Sequence, residues 1–225
     1  MLSKPQFAFR VIIFLFICLM LTPKVFPYIF GNGSGGGYGN GEGSEEIIGN
    51  SNSTQIETLV IKGAVYFLDA NSNIMAFLNR VEKSEIEKMD FQEAQKILEC
   101  AARNMHLAAS TYTELIRLAE QTPYNEKVIE RLMVFDYPGF MAKHELNSII
   151  FNETEGYLIT GDITGVYKNI SARFKTILDK ITYIRGEINT GKFPPISQCW
   201  ELSETCYQTL IFGQYLSMVF YNLKN

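Results

Sequence analysis

The chain has 225 residues, 47% of them hydrophobic and 20% charged, which is the composition of globular protein and makes one folded domain the default expectation. Three of its twenty basic residues and none of its twenty-four acidic ones precede Gly31, leaving seventeen against twenty-four, a balance of −7, over the remainder. A body this acidic and without a basic run has no counter-charge for a phosphate backbone, so nucleic acid is excluded as a partner.

The N-terminus departs from the globular pattern. Lys4 and Arg10 precede Val11–Leu21, eleven apolar residues without a charge. That length suits the h-region of a signal peptide and falls short of the ~20 residues a membrane-spanning helix needs. Counting on through Val25, Phe26, Ile29 and Phe30 makes a span feasible, although it would include Pro23, Lys24 and Pro27. There is no A-x-A cleavage pattern, and Phe16 and Ile17 before Cys18 are too bulky for a lipid-attachment signal. Residues 1–30 therefore read as a signal peptide or a membrane anchor, with the membrane as a partner if the segment is uncleaved. The basic flank holds the N-terminus in the cytoplasm and directs the rest of the chain to an extracytoplasmic position.

Residues 31–54 follow as a linker. Eight glycines fall between Gly31 and Gly43. Such a chain loses much entropy on ordering and has little to bury, so the expectation is a disordered tether. Its root-mean-square reach is roughly 25–30 Å.

From residue 55 to 225 the pattern is helical. In Gln55–Glu87 one seven-residue series runs Val60, Phe67, Ile74, Val81, and a second runs Ile56, Gly63, Ala70, Phe77. Phe91, Leu98, Met105, Tyr112 and Ala119 interleave with Ala94, Ala101, Ala108 and Leu115, and Asp90 with Glu93 makes a capping-box-like start. Tyr124–Asn152 is helical in composition but must kink or split at Pro138–Gly139. Ile163, Ile170, Ile177 and Ile184 alternate with Tyr167, Phe174, Ile181 and Ile188, between an Asp162 cap and a Gly191 stop. Pro195–Leu223 completes the chain. Three segments holding a 3.5-residue period predict an all-α fold, an up-and-down bundle of four or five long antiparallel helices.

Chemical motifs are few. Gly186–Lys192 spells G-x-x-x-x-G-K, but Phe193 stands where a phosphate-binding loop needs Ser or Thr, and a helix ends there. His106 and His144 lie in no metal-binding spacing, and there is no G-x-S-x-G, so neither a cofactor nor an enzyme is expected. Cys199 and Cys206, seven apart on one helix, are too distant for a mutual disulfide; Cys100 is a candidate to bridge to either in an oxidising compartment.

Two features carry functional expectations. The interruption at Tyr137, Pro138 and Phe140 would leave backbone groups free for a ligand, making a candidate pocket of an extracytoplasmic sensor. From Leu210 to Leu223 the final helix is apolar on nearly every face, with Phe212, Tyr215, Phe220 and Tyr221, and is either central or covered by another protein or a second copy. The leading expectation is a non-enzymatic, exported or membrane-tethered bundle acting by protein–protein interaction.

Overall fold

The computed structural model describes residues 51–83, 90–146 and 148–224. Among the described residues the chain is all-α, with seven helices and no strand: α1 Ser51–Lys83, α2 Phe91–Ala119, α3 Glu126–Met133, α4 Tyr137–Lys143, α5 Ser148–Ile159, α6 Ile163–Asn189 and α7 Ile196–Lys224. The leader at 1–30 and linker residues 31–50 lie outside the described residues. Residues 51–54, assigned above to the linker, form the first turn of α1. No described helix is long and apolar enough to cross a membrane.

Helix ends follow local chemistry. The Asp90 carboxylate accepts the Glu93 N–H at 3.0 Å to open α2, and Asp162 accepts the Gly165 N–H at 2.8 Å to open α6. α6 stops where Gly191 takes φ 72°, letting its N–H reach the Ile188 carbonyl while Lys192 donates to Glu187. That pairing satisfies carbonyls the helix would otherwise leave open. Gly161, φ 73°, closes α5 the same way, and the next residue, Asp162, already caps α6.

The seven-residue seams lie inward. All of the residues in those series on α1, α2 and α6 are buried except Val81, Phe91 and Ile170, which are half-buried. Their meeting point is aromatic: Phe67 of α1 stacks on Phe174 of α6 at 5.1 Å, and Tyr112 of α2 stands edge-on to Phe174 at 5.1 Å and to Tyr167 at 6.3 Å. Gly63 lies beneath Tyr112, where an added Cβ would come within 2.6 Å of the ring.

Surface ion pairs record adjacency more than strength, since exposed pairs contribute little. Arg80 near the end of α1 meets Glu93 near the start of α2. Glu120, just past α2, meets Lys168 early in α6, while Glu99 meets Arg185 late in α6. Lys180 of α6 meets Glu201 in the second turn of α7. These pairs join α1 to α2, α2 to α6 and α6 to α7, and α7 in turn packs on α1, α5 and α3 as well as α6.

The middle of the chain is split, the second of the two expected outcomes. It forms three short helices, and the interruption precedes Tyr137 rather than falling at Pro138. Asp136 is the reason: it caps α4 by accepting the Gly139 N–H at 3.0 Å, and Pro138 sits in the first turn, where a missing N–H costs nothing.

Candidate functional site

Residues of α4, of the turn after it and of α5 line a cleft of ligand dimensions. α4 contributes Pro138, Met141 and Ala142, the following turn Glu145 and Leu146, and α5 Phe151, Asn152 and Glu155, around a volume of about 400 Å³. The turn is held by Glu145 at φ 51°, donating to Ala142, and by Leu146, whose N–H reaches the Met141 carbonyl at 2.9 Å. This is the same closing geometry as at Gly161 and Gly191, made here with a side-chain-bearing residue.

The backbone donors expected to be free for a ligand in this region are taken. In the first turn of α4 the Tyr137 N–H goes to the Phe135 carbonyl, Pro138 has none, Gly139 goes to the Asp136 carboxylate and Phe140 to the Asp136 carbonyl. Of the three pocket residues expected from sequence, Pro138 lines the cleft. Tyr137 and Phe140 turn into the core. Tyr137 donates its hydroxyl to the Leu132 carbonyl at 3.2 Å, and burial, with Glu155 nearby, raises its pKa above the ordinary tyrosine value. Phe140 packs between Phe135 and His144. Glu145, Asn152 and Glu155 carry the cleft's polarity, and the one sequence signal near them is the Pro–Gly pair that starts α4.

The wall of the cleft reaches α7. Phe151 is fully buried, with Tyr137 at 6.2 Å, Phe212 at 6.3 Å and Tyr215 at 6.4 Å between ring centroids. Two of the expected interface aromatics, Phe212 and Tyr215, are thus core residues, Phe220 is half-buried and Tyr221 is exposed. The outward side of α7 is instead marked by Ile196 at 57% and Trp200 at 64% exposure. At helical spacing from them follow Ser203, Tyr207, Ile211, Gln214 and Met218, all half-buried.

Cys100, Cys199 and Cys206 are free thiols in this structure. Cys100 belongs to α2, which packs on α1 and α6, whereas Cys199 and Cys206 are buried on α7 across the bundle. Burial pushes the Cys199 thiol up to about 11 and the Cys206 thiol to about 12, so both stay protonated and unreactive at neutral pH. Among the described residues no group of His, Cys, Asp and Glu is placed to hold a metal ion. Compared with known proteins, the chain matches no family model, no curated protein and no solved structure.

Proposed function

We propose that α1, α2, α6 and α7 form an up-and-down antiparallel bundle, held at or beyond a membrane by the N-terminal segment, and that this bundle works by binding a second copy of itself rather than by catalysis. The observation that carries this reading is the exposure of Trp200 and Ile196 on α7. They begin a stripe that continues through Ser203, Tyr207, Ile211, Gln214 and Met218 without a single charge. A two-fold interface sets a surface against itself, so an uncharged, largely apolar stripe is self-complementary where a charged one would repel.

Sedimentation equilibrium of the full chain and of an Ile196→Glu/Trp200→Glu variant tests this. Self-association in the parent and a monomeric variant with unchanged melting are expected. A parent that is monomeric at every concentration contradicts the proposal, as does a variant that associates like it. Extracytoplasmic placement is tested separately by the mass and compartment of the mature chain; an intact leader on a cytosolic protein contradicts it.

A second reading is favoured by the cleft beside Pro138: an extracytoplasmic domain that senses a small ligand. Its volume of about 400 Å³ lies in the range of small-molecule sites.

A further inference from the structure

We infer that α4 is a flap that undocks from its neighbours by turning at His144–Glu145 and bares the apolar side it now buries, a movement separate from both functional readings. α4 is seven residues long and, alone among the described helices, packs broadly on no other helix. Much of its aromatic packing is its own. Phe140 meets Phe135 and His144, and Tyr137 meets Phe135 at 4.9 Å, all within residues 135–144. Outward, the Tyr137 ring lies 6.2 Å from Phe151, and its hydroxyl donates to the Leu132 carbonyl at 3.2 Å. A short helix held this lightly opens at a fraction of the cost of unfolding the whole chain.

The turn that follows α4 carries two opposing costs. Glu145 stands at φ 51°, the one residue with a side chain in the left-handed region among those described. Beside it, His144 Nε2 is buried without a hydrogen-bond partner. That nitrogen has lost water and gained nothing in its place. Both costs last only while the turn keeps this shape. When α4 swings out, Glu145 leaves the left-handed region and water reaches the imidazole. What holds the flap shut is burial of Tyr137, Phe140 and Met141. Opening exposes that side and widens the cleft, since Met141 also lines it.

Thiol labelling of the full chain tests the flap, with Cys206, fully buried on α7, as the internal clock for global unfolding. The thiol introduced by Met141→Cys should be labelled at least about tenfold faster than Cys206 in the same molecule, read by peptide mass spectrometry. Adding Glu145→Gly or, separately, His144→Phe removes one opposing cost and should slow that labelling at least about threefold. Hydrogen exchange of the unsubstituted chain gives a second reading. Corrected for intrinsic rates, the Leu146 N–H, bonded to the Met141 carbonyl, should exchange at least about tenfold faster than the Lys192 N–H, bonded to Glu187 in the same kind of turn. Labelling in step with Cys206, or equal exchange at the two turns, overturns the flap. Fast labelling that neither variant slows puts the hinge elsewhere and overturns the assignment to His144–Glu145.

Discussion

The guanidinium of Arg173 lies 4.9 Å from the centre of the Phe212 ring, bringing a cation of α6 onto an aromatic side chain of α7. The same guanidinium reaches Glu153 of α5 at 2.7 Å and is largely covered, so one side chain ties three helices. Burial lowers its pKa from the ordinary arginine value, which leaves it charged at all working pH. Because Glu153 is mostly exposed, the ion pair contributes little and the ring contact and packing contribute more. Arg173→Ala should therefore cost about 1–2 kcal/mol and Glu153→Ala under about 0.5 kcal/mol, measured by urea unfolding.

Gly63 and Gly186 should respond to alanine with opposite signs. Both sit inside long helices, where the replacement alone is worth about 0.5–1 kcal/mol. At Gly186 a Cβ meets nothing within 4 Å, so Gly186→Ala should raise the unfolding free energy by that amount. At Gly63 it meets Tyr112 at 2.6 Å, and that ring is itself wedged against Phe174 and Tyr167. Gly63→Ala should lower stability by about 1–2 kcal/mol net.

The three helix-closing turns make a second paired test. Glu145 occupies, at φ 51°, a position where glycine is at ease and other residues are strained. Glu145→Gly should raise stability by about 1 kcal/mol. Gly161→Ala should lower it, since the backbone there is left-handed and the new Cβ would press within 2.7 Å of Ile129. Thermal melts of the two variants should move apart around the parent.

Alkaline pH should destabilise the fold through its buried thiols. The Cys206 thiol titrates near 9.0 when free and is pushed to about 12 by burial. The folded chain then holds a proton that the unfolded chain sheds. Stability is level below about pH 9 and falls as pH rises toward 12, by at most about 1.4 kcal/mol per pH unit for this thiol. Cys199 contributes up to about 11, and Tyr124, raised by burial to about 12, joins above its free value of 10.0. Cys206→Ala should be less stable at every pH from its cavity, yet its unfolding free energy should decline less steeply between about pH 9 and 12.

The long seams of α1, α2 and α6 were legible because burying a stripe on a straight helix requires a repeating spacing, and Asp90, Asp162 and Gly191 marked ends by their own hydrogen bonds. In α7 the spacing of Cys199, Leu202 and Cys206 marked an inner side, and all three are buried, but the stretch from Leu210 to Leu223 carried no such information. A helix apolar all round has no period to reveal its inner side, and the choice was made by α5 and α6, which bury Phe212 against Phe151 and Arg173. Trp200 and Ile196 were left outward by that choice, not by anything local. Pro138 announced the neighbourhood of the cleft, but Glu145 and Glu155 come together with it only because the α4–α5 turn folds one helix against the next.

Trp200 is the single tryptophan of the chain, so its fluorescence reports on the outward face of α7 and nothing else. Emission recorded across a dilution series should move to shorter wavelength as concentration rises and a second copy covers the ring, and acrylamide quenching should weaken in step with the mass seen in sedimentation. Emission that stays red and fully quenchable while the mass doubles would show that the copies meet elsewhere and would contradict the assignment of this face.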